Sequence, residues 1–265
     1  MSNSSRKTQR PVPRMHIIAE CLGHQWPDWH AMGDAGPMAD ETAASDSASA
    51  SDSAVPADAG EENPAVQEEW DRRYADQEQL WSGQPNGALV TEVARLMPGR
   101  VLDVGCGEGA DAVWLARRGW DVTALDVSAV ALERAARHAR DAGVVVRWVH
   151  AGLTEAMLPP ASFDLVSAQY PALLRTPDAA AERALLAAVA PGGVLLLVHH
   201  AGVETLQPHD GDFNPADYVW PSMVAALLDD DWVVEVNEQR PRIAPHGGAG
   251  AHHTDDLVLR ARRLR

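Results

Sequence analysis

The sequence predicts an α/β fold with a doubly wound, mostly parallel seven-stranded sheet, helices on both faces and a C-terminal antiparallel hairpin. Three observations predict it. Short apolar runs alternate with amphipathic segments after about residue 100, which is typical of parallel strands joined by crossover helices. A glycine-rich turn directly follows the first of these runs, 101–104. The last two strand-like runs have no helical pattern between them, which indicates an antiparallel pair at the sheet edge.

Each element is predicted from its hydrophobic period. Val66, Trp70 and Tyr74 fall four residues apart and predict a helix over 66–74. A second helix is expected over 87–97. Strands are predicted at 100–104, 121–125, 144–149, 163–168 and 193–198, and helices at 109–118, 128–142 and 178–190. A helix at 221–230 and strands at 232–238 and 256–261 complete the chain.

Composition divides the chain into three parts. Residues 39–64 are mainly Ala, Ser, Asp and Glu with no aromatic residue, so they bury too little apolar surface to offset chain entropy. We expect a disordered acidic linker there. It separates a short N-terminal segment, 1–38, of unknown role from a single folded domain over 65–265.

Charge and composition exclude several classes of partner. The formal net charge is -16 and the chain has one Lys, at position 7, whereas binding to a phosphate backbone is driven by cationic side chains. We therefore expect no nucleic-acid partner. Two cysteines are too few for a disulfide framework, and no apolar run has the length of a signal-peptide core or a membrane span. A cytoplasmic protein without membrane association is expected.

The glycine turn fits two cofactors, a nicotinamide dinucleotide and S-adenosylmethionine. The first brings a pyrophosphate to the helix N-terminus, and the second brings a ribose and a zwitterionic amino acid. Asp103 lies two residues before the first glycine, where it would sit poorly beside a diphosphate but could accept hydrogen bonds from an ammonium group. Asp126 ends the second strand, where a carboxylate can hold ribose hydroxyls of either cofactor. Asp103 and the terminal hairpin favour S-adenosylmethionine, and the dinucleotide stays open as an option.

Residues 65–265 resemble a class I S-adenosylmethionine-dependent methyltransferase. The resemblance rests on the glycine motif at 101–109, Asp126, the fourth strand Ser162-Phe-Asp-Leu-Val-Ser167 and Ala190-Pro-Gly-Gly193 before the fifth. More narrowly, Trp70-Asp-Arg-Arg-Tyr74 and Trp81-Ser-Gly-Gln-Pro-Asn86 resemble the small-molecule branch that contains thiopurine and tellurite-resistance methyltransferases. The resemblance implies S-adenosylmethionine as the cofactor and methyl transfer to a small aromatic or heterocyclic molecule at O, N or S.

The resemblance also implies a set of cofactor-binding residues. Trp81 is expected to cover the cofactor together with Trp70 and Tyr74, with ordinary core packing as the alternative for Trp70 and Tyr74. Gly152 departs from the family pattern, since an Asp there often takes the adenine amino group, so adenine would rely on backbone near Leu153, on Thr154 or on water. A catalytically silent cofactor-binding or scaffold protein is the alternative, and Gly152 is the feature that favours it. The expected cofactor-binding residues are Trp81, Asp103, Gly105, Gly107, Gly109, Asp126, Val127, Gly152, Leu153 and Gln169.

Histidines are the candidate catalytic residues. In a doubly wound sheet, ligands bind beyond the carboxyl ends of the parallel strands. His199 and His200 follow the fifth strand, and His252 and His253 precede the last, antiparallel strand. One of them is expected to serve as a general base if the acceptor is a hydroxyl or a protonated amine, with His199, His200 and His253 as the candidates. The alternative is that each is a hydrogen-bonded strand-end residue. No metal site is expected, because adjacent histidines on a strand point to opposite faces.

The N-terminal segment carries a weaker pattern. His16, Cys21, His24 and His30 have spacings compatible with zinc, but they lack the paired cysteines of a regular zinc motif. We favour a short amphipathic piece that docks on the domain or on a protein partner. Its apolar residues are Ile17, Ile18, Leu22, Trp26 and Trp29.

Overall fold

The structure is a computed structural model that describes residues 64–207, 214–244 and 252–265. The N-terminal segment, its histidine and cysteine pattern, and all of the acidic linker except Pro64 lie outside the described residues. No helix within the described part of the chain is long and apolar enough to cross a membrane.

Seven strands form one sheet in the order β3-β2-β1-β4-β5-β7-β6, which confirms the predicted fold class. β1 to β5 pair in parallel, and β7 runs antiparallel between β5 and β6. Because β1 lies between β2 and β4, the connections diverge at its carboxyl end and leave a crevice there. The strands are β1 (Arg100–Val104), β2 (Asp121–Asp126), β3 (Arg147–His150), β4 (Phe163–Gln169), β5 (Val189–His200), β6 (Trp232–Pro241) and β7 (Asp255–Arg263).

Helices cover both faces of this sheet. On β1, Leu102 and Val104 pack into the cluster that contains residues of α5 and α6, whereas Val101 packs into the opposite cluster with residues of α2 and α3. Burial on both faces explains why the strand is a nearly continuous apolar run. The helices are α1 (Pro64–Ala75), α2 (Gly87–Val93), α3 (Ala110–Arg117), α4 (Ala129–Asp141), α5 (Ala180–Ala188) and α6 (Pro221–Ala225).

Several predicted boundaries are wrong at element ends. β3 begins at Arg147 rather than at residue 144, because Gly143 takes a left-handed φ of 68° and the Val144 N–H closes the end of α4 on the Ala139 carbonyl. α2 ends at Val93 rather than at residue 97, in keeping with the helix-breaking effect of Pro98 on the residue before it. α6 is also shorter than the predicted 221–230, ending at Ala225.

The antiparallel hairpin brings the end of the chain to the crevice. His200 at the carboxyl end of β5 pairs with Asp256 at the start of β7. The residues just before β7, His252 and His253, therefore lie at the same sheet edge as the ends of β4 and β5.

Candidate active site

The glycine turn between β1 and α3 leaves its backbone open to a cavity. Gly105, Gly107 and Gly109 have φ values of 69°, 52° and 80°, in the left-handed region that favours glycine. A Cβ on Gly107 would lie 2.8 Å from the Tyr74 Oη, and one on Gly109 would lie 2.7 Å from the Ala135 Cβ. Neither position has room for a side chain, so the turn is held close to its neighbours on both sides.

One cavity collects nearly all of the predicted site residues. Of the cofactor-binding set, all except Gly109 line it, and so do His199, His200 and His253. Gly109 lies behind the turn instead, against Ala135 and Trp148. Its role is therefore to let the turn pack on α4, a function that the motif alone does not distinguish from ligand contact.

Buried carboxylates dominate the charge at the glycine end of the cavity. Asp103 is 2% exposed, and its Oδ2 has no hydrogen-bond partner among the described residues. Burial, followed by the charges of Asp111 and Asp126, raises its pKa well above the usual range. Asp111 is itself fixed by two hydrogen bonds from Asn86, at 2.7 and 2.8 Å. A cation beside Asp103 would relieve this repulsion, so the site fits the ammonium group of an amino acid.

Asp126 is tied to the turn from the end of β2. Its two oxygens accept hydrogen bonds from the backbone N–H groups of Gly107, at 2.8 Å, and Ser128, at 2.9 Å. Burial raises its pKa, and these two hydrogen bonds act in the opposite direction. Each carboxylate oxygen retains acceptor capacity, which suits a pair of sugar hydroxyls. Ser128, a residue type that favours helix N-termini, caps α4 by accepting from the Ala131 N–H at 3.1 Å.

An ion pair that the sequence analysis missed fixes the wall opposite the turn. Glu108, 3% exposed, accepts hydrogen bonds from the backbone N–H groups of Leu80 and Trp81 and pairs with Arg134 at 2.9 Å. The Trp81 indole N–H then donates to the Tyr74 hydroxyl at 2.9 Å. No local pattern links Glu108 with Arg134, which lies 26 positions away on α4.

Two histidines at the far end of the cavity differ in what their nitrogens do. The Nδ1 of His199 accepts from the His200 backbone N–H at 3.0 Å, and the Pro171 backbone accepts from the ring's other nitrogen. The Nδ1 of His200 has no hydrogen-bond partner among the described residues. Burial is the main cause that lowers the pKa of both rings to about 3. Both imidazoles are therefore neutral near pH 7.

Four aromatic side chains at this end of the cavity form a stack in the order Tyr170, His200, His253 and His252. His200 stacks on Tyr170 with centroids 4.1 Å apart and on His253 at 4.0 Å, and His253 meets His252 at 4.1 Å. Burial lowers the pKa of His253 to about 3, and its Nε2 has no hydrogen-bond partner within the described segments. The stack covers the ring faces, so these imidazoles meet a ligand with their edges.

Residues from the hairpin hold the stack in place, and sequence reasoning did not identify them. Asp256, 2% exposed, accepts a hydrogen bond from the Tyr170 hydroxyl at 3.0 Å. Arg242 lies over the Tyr170 ring at 4.9 Å, and its Nε is 3.8 Å from the Asp256 Oδ1. The His200 Nδ1 is also 3.8 Å from that oxygen. Only the antiparallel pairing of β7 brings these groups together, across a separation of 86 positions between Tyr170 and Asp256.

Comparison with known families distinguishes between the two candidate cofactors. Residues 101–193 match the family described as a methyltransferase domain, which is about a third of the chain. An uncharacterised methyltransferase of Mycobacterium bovis is 42% identical over 112 residues, covering 42% of this chain and 55% of that protein. The chain thus spans about half the length of this curated relative. The prediction of S-adenosylmethionine rather than a dinucleotide is confirmed.

Solved structures share the fold at low sequence identity. A structure reported for the conversion of a disulfide bond into a thioacetal group in echinomycin biosynthesis matches with a TM-score of 0.59 and 24% identity, over 75% of this chain and 92% of that chain. The N-methyltransferase NodS of Bradyrhizobium japonicum, crystallised with S-adenosylhomocysteine, matches with a TM-score of 0.51 and 18% identity, over 73% and 87% respectively. These likenesses show that the sheet and its helices form a Rossmann-like methyltransferase fold.

Proposed function

We propose that this chain, which carries a class I S-adenosylmethionine-dependent methyltransferase domain, transfers methyl groups to a small planar aromatic or heterocyclic molecule at O, N or S. One observation carries the proposal: a single cavity runs from the glycine turn to His199, His200 and His253. When bound, S-adenosylmethionine supplies a methyl group on a positively charged sulfur that leaves readily. The protein's part is then to hold both molecules in line and to keep water out.

The end of the cavity at the glycine turn, here called the cofactor end, is assigned to S-adenosylmethionine because of its charged and polar groups. The unpartnered Oδ2 of Asp103 is suited to the ammonium group, and Asp126, held by the Gly107 N–H, is suited to the ribose hydroxyls. Trp81 and Tyr74 line the cavity as a joined aromatic wall above the turn. Gln169 also lines it, with an Oε1 that has no partner in the described ranges. These groups match a zwitterionic, sugar-bearing ligand better than a diphosphate, which the buried carboxylates would repel.

The end of the cavity beside the histidines, here called the acceptor end, is assigned to the methyl acceptor because of the side chains that line it. Aromatic and apolar side chains line it, and a planar ring gains offset or edge contacts against such walls. Neutral imidazoles are appropriate here, since a charged histidine would repel the positively charged cofactor. Lining residues beyond the histidines include Tyr170, Leu173, Val203, Tyr218 and Trp220.

His200 and His253 are the proposed proton acceptors. Each keeps one ring nitrogen without a hydrogen-bond partner among the described residues, whereas both nitrogens of His199 are engaged by backbone. Their lowered pKa makes them weak bases in the ligand-free chain, so they would take the acceptor's proton only as the bond to the methyl group forms and makes that proton strongly acidic. His199, which lies 4.0 Å from the Trp220 ring, is proposed to shape the acceptor end.

Membership of the thiopurine and tellurite-resistance branch is part of this proposal. The segments that carry that resemblance are α1 and the 81–86 loop, and both contribute to the cavity wall through Trp70, Tyr74 and Trp81. A cover of this kind suits a small acceptor that must be enclosed before transfer. NodS is an N-methyltransferase, but at 18% identity its acceptor atom is not carried over to this chain.

Release of S-adenosylhomocysteine tests the proposal. The purified chain is incubated with S-adenosylmethionine and a panel of phenols, thiols and nitrogen heterocycles, and S-adenosylhomocysteine is quantified by mass spectrometry. We expect release above the acceptor-free rate with at least one class, a sharp loss in Asp126→Asn, and no change in the exposed control Glu133→Gln. Cofactor binding without release for every acceptor would instead support the silent scaffold.

A further inference from the structure

The turn after β3 folds a carboxylate back over Gly152. The Ala156 N–H donates to the Gly152 carbonyl at 2.9 Å, closing a turn over 152–156. Thr154 Oγ1 donates to one oxygen of Glu155 at 2.8 Å. The other oxygen, Oε2, lies so close to Gly152 that a Cβ there would collide with it. A glycine at 152 and a glutamate at 155 are therefore a matched pair: the glutamate occupies the space that a side chain at 152 would fill.

This carboxylate stands beside an apolar part of the cavity. Gly152, Val127 and Leu153 all line the cavity. Glu155 Oε2 and Val127 Cγ1 are both among the nearest atoms to the Cβ position of Gly152, the latter at 3.7 Å. Glu155 itself is half-buried. A planar base held between the two apolar side chains would present its polar edge toward the Gly152 turn.

We propose that Glu155 accepts a hydrogen bond from the exocyclic amino group of the cofactor's adenine, replacing the carboxylate that position 152 lacks. The assignment rests on the proposed function, because it presumes that the cavity holds S-adenosylmethionine. An ionised carboxylate is an acceptor only, so it favours an amino group and disfavours an oxo group at the same place. Glu155 thereby determines selectivity for adenine over its 6-oxo counterpart.

Calorimetric titration with two ligands tests the assignment. S-adenosylhomocysteine carries the amino group, and S-inosylhomocysteine carries an oxo group instead. We expect the wild-type chain to prefer the adenine ligand by roughly tenfold or more, the size of one charge-assisted hydrogen bond. In Glu155→Gln the amide can rotate to suit either ligand, so the preference should collapse. Glu133→Gln, which removes an exposed charge on α4, should keep the wild-type preference.

A rescue variant separates recognition from folding. Glu155→Ala removes the carboxylate and the collision, and Gly152→Asp in that background returns a carboxylate from the other position. We expect the single variant to lose the preference and the double variant to regain it, with thermal unfolding of the ligand-free proteins checking that both fold. If Glu155→Gln and Glu155→Ala both kept the wild-type preference for the adenine ligand, the assignment to Glu155 would be overturned and the proposed function would stand. A wild-type chain that binds neither ligand would overturn the proposed function together with it.

Discussion

At the scale of single residues, Asp103 sets the charge balance of the cavity. It is buried beside two other acids, and burial with their charges raises its pKa well above the usual range. A group whose pKa is raised by folding binds its proton more tightly in the folded state, so it destabilises the fold as pH rises above the unfolded value of about 3.9. The protein tolerates this cost where a cation is to be bound.

Asp103→Asn should therefore separate cofactor affinity from stability. For the wild type, affinity for S-adenosylhomocysteine should rise with pH as Asp103 loses its proton, whereas the variant should bind more weakly and with a flatter pH profile. The ligand-free variant should unfold at a higher temperature near pH 7, with the difference vanishing in acid. Calorimetry and thermal unfolding across pH measure both effects. Identical pH profiles for the two proteins would remove Asp103 from the ammonium site.

Gly107 offers a test of how closely the glycine turn approaches the ligand, with Gly119 as the control. Gly107→Ala adds a Cβ at a φ of 52°, 2.8 Å from the Tyr74 hydroxyl, whereas Gly119→Ala adds one at a φ of 88° with nothing within 4 Å. Both variants should lose about 1 kcal/mol of unfolding free energy from backbone strain, and Gly107→Ala should lose more because its Cβ also collides with Tyr74. Only Gly107→Ala should also lose cofactor affinity, by roughly tenfold or more. Equal affinities in titration would show that the turn does not contact the ligand closely.

At the scale of elements, the parallel strands and their helices could be predicted from the sequence. The contacts between residues distant in sequence that hold the cavity wall could not. β1 and β2 are short and largely apolar, and they end just before Gly105 and at Asp126, so their extent follows from the pattern. The Glu108 and Arg134 pair, the Tyr170 and Asp256 hydrogen bond, and the return of Glu155 over Gly152 depend on three-dimensional packing. Hydrophobic period carries no information on such contacts.

The buried ion pair between Glu108 of the glycine turn and Arg134 of α4 should support the cavity wall. Arg134 is 12% exposed and Glu108 3% exposed as side chains, so Arg134→Met leaves an uncompensated buried charge and should destabilise the fold by about 3 kcal/mol. Adding Glu108→Gln should recover part of that loss, because the amide still accepts from the Leu80 or Trp81 N–H. Urea unfolding measures the cycle. Additive losses in the double variant would mean that the two side chains are not coupled.

At the scale of the whole molecule, the cavity is assembled from two parts of different origin. The methyltransferase family match ends at residue 193, so it includes the glycine turn, Asp126 and the Gly152 turn. The proposed acceptor end comes mainly from later residues. His200 ends β5, Tyr218 and Trp220 lie in the connection just before α6, and Arg242 and His253 lie between β6 and β7. The family match therefore covers the proposed cofactor end, whereas most of the proposed acceptor end lies beyond it.

The most direct measurement is a single-turnover transfer with S-adenosylmethionine that carries an isotopically labelled methyl group. Mass spectrometry follows the label into the best acceptor of the panel, at saturating cofactor. We predict that the wild type labels the acceptor, that His200→Asn with His253→Asn slows the step roughly 100-fold while S-adenosylhomocysteine affinity is kept, and that Asp126→Asn weakens binding itself. Tight S-adenosylhomocysteine binding with no labelled product from any phenol, thiol or heterocycle would contradict the account.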